Sequence, residues 1–198
     1  MVISMKTASL KKLRKEMEKE LHTKRYEHTL SVAYTAASLA MVHGVDTNRA
    51  MIAGMLHDCA KCLSSKKLIS LCKKHNLPMS EVEMQNPTAL LHAKAGSFLA
   101  HKKYGIEDEE VLNAIKYHTT GRPDMGKLEK ILYIADYIEP GRTHAANLSQ
   151  IRKLAYQDLD KALMRILEDT LAYLHSTGGV IDAMTKATYT SLCHRIDK

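Results

Sequence analysis

The chain has 198 residues, of which 45% are hydrophobic and 26% are charged, and this length suits one domain with a continuous hydrophobic core. The formal net charge of +7 favours an anionic ligand, whether a polyphosphate or a nucleic acid. The aromatic residues are nine Tyr, one Phe and no Trp, and they are scattered. A base-stacking platform of the kind that RNA-binding modules carry is therefore not predicted, and nucleic acid is a disfavoured partner.

The cysteines and the N-terminus exclude two further classes of protein. Cys59 and Cys62 form a single CxxC pair, whereas a structural zinc site would need a second close pair. No apolar run approaches the roughly 20 residues that span a bilayer, and the charged N-terminus lacks the apolar core of a signal peptide. We therefore predict reduced thiols, a cytoplasmic location and no membrane partner.

Apolar residues recur at the spacing of helices along almost the whole chain, with little of the alternation typical of strands. The sequence therefore predicts an all-α fold, built as a single helical bundle. The predicted helices are Ser9–Leu21, Lys24–His43, Thr47–Ala60, Ser65–His75, Leu90–Tyr104, Asp108–His118, Lys127–Ile138, Ser149–Gln157, Asp160–Ser176 and Ile181–Arg195. We assign residues 1–21 to an N-terminal helical extension and residues 22–198 to the main domain.

Glycine and proline mark where these helices stop. Gly44, Gly105 and Gly178 each follow a predicted helix end, where a left-handed cap is expected. Pro78 and Pro87 bound a predicted loop between the fourth and fifth helices.

His57 and Asp58 close the small apolar helix that begins near Thr47, for which Asp46 or Thr47 is a plausible N-cap. Because this helix packs on a core, the pair is carried toward the interior. An ionisable pair in a packed interior is costly unless it is paired or binds an ion. The sequence therefore predicts partners for His57 and Asp58 elsewhere in the chain.

Similar polar side chains share the apolar faces of other helices. These residues are His28, His92, His118 and Asp136. Val32 follows His28 at i+4, and Asp136 follows Leu132 at i+4, so each polar residue shares the core-facing side of its helix. A single inward His is more often a hydrogen-bonded core residue than a ligand. The prediction of a metal centre therefore depends on the recurrence of this pattern on five helices.

The order His28, His57-Asp58, His92, His118 and Asp136 resembles the H…HD…H…H…D signature of the HD-domain phosphohydrolases, which are all-helical metal enzymes acting on phosphate esters and anhydrides. Longer segments resemble one group within that family. They are HDCAK from His57, LLHAKAG from Leu90, YHTTGRP from Tyr117 and ADYIEPGR from Ala135. These segments are similar to the YqeK group, whose members are symmetrical bis(5'-nucleosyl)-tetraphosphatases. The resemblance covers the chain from about His22 onward.

This resemblance implies a metal centre held by two imidazoles and two carboxylates. The implied metal ligands are His28, His57, Asp58 and Asp136. Such a set suits iron or manganese, and zinc fits it as well. The resemblance favours iron. A second ion between His92, His118 and Asp58 is an alternative use of those residues.

The resemblance also implies residues for catalysis and for the nucleotide. The implied catalytic residues are Asp58, Lys61, His92 and His118. The implied substrate-binding residues are His28, Asp58, His92, His118, Thr119, Asp136 and Arg142. Phosphoanhydride cleavage needs cations directed at the transferred and leaving phosphates, which Lys61 and Arg142 would supply.

The function that the sequence favours is symmetrical cleavage of diadenosine tetraphosphate, or a similar dinucleoside polyphosphate, into two nucleoside diphosphates. Three alternatives stay open at this point. The first is another HD-type enzyme, such as a deoxynucleoside monophosphatase or a cyclic-nucleotide phosphodiesterase. The second is a non-catalytic nucleotide-sensing module. The third is a basic helical RNA- or partner-binding protein. The sequence also leaves open whether the protein is a monomer or a homo-oligomer.

Overall fold

A computed structural model describes residues 9–145 and 147–196. Over these residues the chain forms helices and no strand, so the prediction of an all-α fold is confirmed. The helices are α1 Leu10–Glu20, α2 Thr23–His43, α3 Thr47–Leu56, α4 Ser65–Lys74, α5 Glu81–Gln85, α6 His92–Lys102, α7 Glu109–Tyr117, α8 Lys127–Ile138, α9 Leu148–Ala155, α10 Leu159–Ser176 and α11 Ala183–Ile196. A π-helical segment, Pro87–Leu91, joins α5 to α6.

The predicted loop between the fourth and fifth helices is wrong in part, because it contains α5 and the π-helical segment. The side chain of Ser80 accepts a hydrogen bond from the backbone N–H of Glu83, and Glu83 accepts one from the backbone N–H of Ser80. This reciprocal capping box begins α5, and its Ser-x-x-Glu pattern is visible in the sequence. Pro78 and Pro87 by themselves indicate only a loop, whereas the capping box between them predicts this helix.

The predicted end of α3 at Ala60 is also wrong, since the helix ends at Leu56. The His57 ring donates its Nδ1 proton to the backbone oxygen of Gly54 at 2.7 Å. In a continuing helix that oxygen would accept from the backbone N–H of Asp58, so the ring competes with the helical bond. After this point the backbone turns tightly, with Lys61 N–H bonded to the oxygen of Asp58 at 2.9 Å.

The core is built around α2, α3 and α8. α2 packs along α3, and α8 contacts α2, α7 and α10. Small side chains such as Ala33 and Ala36 on α2 are fully buried and let the helices approach closely. Leu13 and Met17 of α1 belong to the same core, and full burial of such side chains stabilises a fold by about 1.5–3 kcal/mol each.

The described part of the predicted N-terminal extension therefore packs on the main bundle. Its first eight residues lie outside the described residues, and the boundary at residue 21 stays a prediction. The three predicted left-handed caps are confirmed, with φ of 68° at Gly44, 69° at Gly105 and 65° at Gly178. Among residues 9–145 and 147–196, every helix is too short or too polar to cross a bilayer.

Candidate metal centre

The fold brings all of the inward-facing His and Asp side chains together. They are His28 from α2, His57 and Asp58 after α3, His92 at the start of α6, His118 after α7 and Asp136 late in α8. The His57 ring lies 5.4 Å from the His28 ring and 5.1 Å from the His118 ring, between centroids. The convergence that the helical pattern predicted is therefore present in the structure.

One set of candidate ligand atoms belongs to His28, His57 and Asp136, and these atoms all lie within 4.8 Å of one another. His28 Nε2 is 3.1 Å from Asp136 Oδ1 and 3.9 Å from Asp58 Oδ2. His57 Nε2 is 3.5 Å from the same Asp58 oxygen. His28, His57 and Asp136 thus form one set of donors, and Asp58 lies within 3.9 Å of both imidazoles.

His57 supplies the observation that tests whether a metal fits here. Its Nδ1 is engaged with Gly54, so Nε2 faces the cluster. Nε2 is buried and has no hydrogen-bond partner among the described residues. A buried nitrogen without a partner is costly, and an imidazole whose other nitrogen is fixed by a backbone carbonyl is typical of metal-ligating His. The residues present therefore fit a metal ion.

Two residues that the sequence reasoning missed hold the ligands in place. Glu139 Oε1 lies 3.3 Å from His28 Nδ1, and its Oε2 accepts a hydrogen bond from the Gly141 N–H at 2.6 Å. Arg25 donates to Asp58 Oδ2 at 2.8 Å. The signal for Arg25 was its position three residues before His28, which places both on one helix face. Glu139 was visible only as part of the segment that ends α8.

The carboxylates of the cluster are held in the ionised form. Although burial alone would raise the pKa of Asp58, the adjacent His57 lowers it well below the usual range. Burial alone would also raise the pKa of Asp136, but the hydrogen bond with His28 and the charge of His57 outweigh it and lower this pKa. Both side chains are therefore anionic at neutral pH and available to a cation.

The histidines farther from Asp136 are held neutral. Burial lowers the pKa of His118 to about 3, with further lowering from the charges of His57 and His92. Burial also lowers the pKa of His92, despite its contact with Asp58. Neutral imidazoles are the form that coordinates metal ions or accepts protons.

A second set of candidate ligand atoms comes from His57, Asp58 and His118, again within 4.8 Å of one another. Asp58 Oδ1 lies 3.2 Å from His92 Nε2 and 3.8 Å from His118 Nε2. The two Nε2 atoms of His92 and His118 are 3.2 Å apart. His118 Nδ1 is bonded to the oxygen of Ile115 at 2.7 Å, so its Nε2 faces Asp58. The two sets of candidate ligands therefore share His57, and Asp58 lies between the histidines of both sets.

The remaining predicted site residues lie at different depths. Lys61 Nζ is 3.4 Å from both ring nitrogens of His92, and burial lowers the pKa of Lys61. Arg142 is largely exposed and donates from Nη2 to the backbone oxygen of Asp136 at 3.0 Å. Thr119 is half-buried directly after His118. The structure thus brings Lys61 and Arg142 to the cluster through direct contacts.

A cleft of about 1190 Å³ opens beside the cluster. His28, Lys61 and Arg142 line this cleft, whereas Thr119 does not. Asp58, His92 and His118 are buried behind the lining. The candidate ligands therefore lie between a solvent-accessible cleft on the His28 side and a closed interior around His92 and His118.

Comparison with known proteins gives consistent matches. Residues 25–141 match the family described as HD domain. A Bacillus subtilis protein named symmetrical bis(5'-nucleosyl)-tetraphosphatase is 37% identical over 173 residues, which are 87% of this chain and 91% of that protein. A Staphylococcus aureus protein with the same name is 39% identical over 168 residues, covering 84% of this chain and 85% of that protein. A crystal structure from Clostridium acetobutylicum, described as a predicted HD superfamily hydrolase involved in NAD metabolism, superposes with a TM-score of 0.91 at 43% identity, covering 94% of this chain and 98% of that one.

Proposed function

The chain belongs to the HD domain family, and we propose that it is a metal-dependent hydrolase that cleaves diadenosine tetraphosphate, or a related dinucleoside polyphosphate, symmetrically into two nucleoside diphosphates. The substrate class follows from relatives of that activity that align over most of the chain. The observation that carries the chemistry is the buried Nε2 of His57, which faces Asp58 and has no hydrogen-bond partner among the described residues.

We assign the ion to His28, His57, Asp58 and Asp136, with iron as the metal; manganese and zinc suit the same donors. When bound, a divalent ion supplies a Lewis acid for a phosphoryl oxygen and lowers the pKa of a coordinated water. A second ion between His92, His118 and Asp58 extends this assignment. Its support is the second set of donors, His57, Asp58 and His118, together with the 3.2 Å distance from His92 Nε2 to Asp58 Oδ1.

The catalytic roles that we propose follow from charge and position. Asp58 is ionised and central, so it holds or deprotonates the attacking water. Lys61, which contacts His92, neutralises charge on the phosphate oxygens as the anhydride bond breaks. His92 and His118 are buried and neutral, and they donate or accept hydrogen bonds at the same phosphates.

The nucleotide-binding residues that we propose include the ligands and their neighbours. They are His28, Asp58, His92, His118, Thr119, Asp136 and Arg142. The cytoplasm is the proposed compartment, since all four cysteines are free thiols. The protein acts as a monomer or as a homo-oligomer of the same unit.

Metal analysis and product analysis on the purified protein test this function. We expect the purified protein to contain about one equivalent or more of a transition metal. With diadenosine tetraphosphate as substrate, we expect anion-exchange chromatography to show adenosine diphosphate as the single product. Deoxynucleoside monophosphates and cyclic nucleotides in the same panel should be poor substrates; preference for either would assign the chain to another HD-type activity. A metal content below about a tenth of an equivalent per protein, with no uptake of added Fe(II) or Mn(II), would reject the proposal that the protein is a metalloenzyme.

A pair of matched variants separates loss of function from loss of fold. Asp136→Asn should lose metal and activity while it keeps the helical circular dichroism of the wild type. Asp124→Asn removes a carboxylate whose side chain is 81% exposed and should retain both. Equal activity of the two variants would remove Asp136 from the site.

A further inference from the structure

The cleft reaches the candidate metal centre through His28, and of the other predicted nucleotide contacts only Arg142 is in its lining. Its lining comes from α2, the turn after α3, the end of α8 with the segment after it, and α10. It does not include His92, His118 or Thr119. Sites for one drug-sized ligand typically measure about 300–1000 Å³. The volume of the cleft is about 1190 Å³, so it can hold a nucleotide in addition to any ligand group that contacts His92, His118 or Thr119.

The charges in the cleft suit a diphosphate. The cationic side chains in its lining are Lys24, Arg25, Lys61 and Arg142. The two carboxylates in the described lining are already engaged. Glu139 accepts from the Gly141 N–H at 2.6 Å, and both oxygens of Asp169 lie 3.0 Å from Asn147 Nδ2. These four cations outnumber the two carboxylates, so the lining carries net positive charge even though Arg25 also donates to Asp58 at 2.8 Å.

Tyr173 provides an aromatic surface at the same cleft. This residue lies on α10, and 65% of it is exposed although it lines the cleft. Thr170, one helical turn earlier on α10, adds a hydroxyl to the same wall. An exposed ring beside cationic groups is the combination that single-stranded nucleic-acid sites use for a base and its phosphates.

From this arrangement we propose that the cleft is the subsite for one nucleoside diphosphate half of the dinucleotide. The base of this half stacks on Tyr173, and its phosphates lie among Lys24, Arg25 and Arg142. The phosphate chain then reaches the candidate metal ligands at the His28 end of the cleft. The assignment rests on the proposed function, because it gives one half of the proposed substrate a place in the structure.

Steady-state kinetics on Tyr173 variants test the subsite. Tyr173→Ala should raise the KM for diadenosine tetraphosphate about tenfold, the lower range for loss of one stacked base, with a smaller effect on kcat. Tyr173→Phe keeps the ring and should stay within about twofold of the wild type. Adenosine 5'-tetraphosphate lacks the second nucleoside, so its KM should change less than about twofold. Tyr34→Ala removes a tyrosine that is 53% exposed outside the cleft lining and serves as the control.

A fluorescence titration tests whether the dinucleotide binds beside Tyr173, independently of turnover. The chain has no Trp, so Tyr173→Trp carries a single reporter in the cleft. The dinucleotide analogue with a methylene in place of the middle bridging oxygen should change the Tyr173→Trp emission. Inorganic pyrophosphate should leave that emission unchanged. In the control variant Tyr34→Trp, neither the analogue nor pyrophosphate should change the emission.

The two measurements together distinguish failure of the subsite from failure of the proposed function. Unchanged Tyr173→Trp emission with the analogue, together with an unchanged KM for Tyr173→Ala, would overturn the subsite while the tetraphosphatase activity stands. A changed emission in a protein that hydrolyses none of the dinucleotides would support the cleft as a nucleotide site and reject the proposed function.

Discussion

Gly54 on α3 lies directly against the backbone of Ala33 on α2. A Cβ added to Gly54 would stand 2.5 Å from the Cα and 3.0 Å from the backbone nitrogen of Ala33. The two helices therefore meet backbone to backbone at this point. The contact holds His28 and His57 on neighbouring helices with their ring centroids 5.4 Å apart.

Gly54→Ala should destabilise the protein although alanine is the better helix former. The added methyl cannot avoid the backbone of Ala33, and overpacking of this kind typically costs about 1–3 kcal/mol. Urea unfolding of the two proteins measures the difference. Gly96→Ala is the matched control, since its new Cβ would come no closer than 3.4 Å to the His57 oxygen. Equal stability of Gly54→Ala and wild type would contradict the close approach of α2 and α3.

Glu139→Gln should weaken metal binding although Glu139 touches no metal directly. The carboxylate fixes His28 through Nδ1 and is itself fixed by the Gly141 N–H. In the variant, an amide NH2 group in place of Oε2 would face the Gly141 N–H, and two donors cannot form a hydrogen bond with each other. Loss of such a partner of a ligating His typically lowers metal affinity about 10–100-fold.

Competition with a metal chelator measures this affinity, and Glu129 offers a control of equal burial. Glu139 and Glu129 are each 4% exposed. Glu129 also accepts a backbone N–H, that of Gly126 at 2.7 Å, but it pairs with Arg122 away from the centre. Glu129→Gln should therefore lower stability and leave the metal affinity unchanged. The same affinity loss in both variants would mean that general destabilisation, not His28, is responsible.

The sequence predicted that these side chains converge because helical periodicity records which side chains face the core. His28, His118 and Asp136 share faces with buried apolar neighbours, and the structure places all three in one cluster. What periodicity does not record is the contact between distant elements. The bonds from Arg25 to Asp58 and from Glu139 to His28 join residues 33 and 111 positions apart.

The misplaced end of α3 has a similar cause. Residues 47–60 carry a continuous helical pattern, yet the His57 ring takes the Gly54 oxygen that the next helical bond would need. Local propensity therefore favours more helix than tertiary structure permits. Sequence alone shows neither this competition nor the cleft, whose lining comes from α2, α10 and the segments after α3 and α8.

Arg142→Ala should weaken substrate binding and leave the metal in place. The guanidinium lines the cleft and contacts Asp136 through its backbone oxygen at 3.0 Å, so it can reach a phosphate beside the ligands. Loss of a charge-assisted contact costs about 1.5–3 kcal/mol, which corresponds to a rise in KM of about 10–150-fold. Arg49→Ala removes an arginine of nearly equal side-chain exposure, 41% against 42%, and should behave as the wild type. Elemental analysis must accompany the kinetics, and unchanged kinetics would remove Arg142 from the site.

Alkylation should distinguish the two cysteines of the CxxC pair. Burial raises the pKa of the Cys59 thiol to about 12, so at pH 8 only about one Cys59 in ten thousand is the reactive thiolate. Cys62 is exposed and lines the cleft. Iodoacetamide should therefore modify Cys62 in the folded protein and reach Cys59 only after unfolding, as peptide mass spectrometry can follow. Bound dinucleotide should slow the reaction at Cys62, whereas equal rates at both thiols would contradict the burial of Cys59.

The position of bond cleavage should follow from the arrangement of the two halves around the metal ligands. Asp58 stands between His92 and His118 on one side and His28 on the other, and the cleft begins at His28. If the cleft holds one nucleoside diphosphate with its second phosphate at the candidate metal ligands, the middle bridge is the anhydride bond nearest to Asp58, and a fixed geometry of this kind selects one bond. Hydrolysis in water enriched in oxygen-18 should then give nucleoside diphosphate alone, with half of the molecules labelled, as mass spectrometry can measure. Mono- and triphosphate as the main pair would reject symmetrical cleavage and would leave the metal site intact, because the ligands do not depend on which bridge is presented to them.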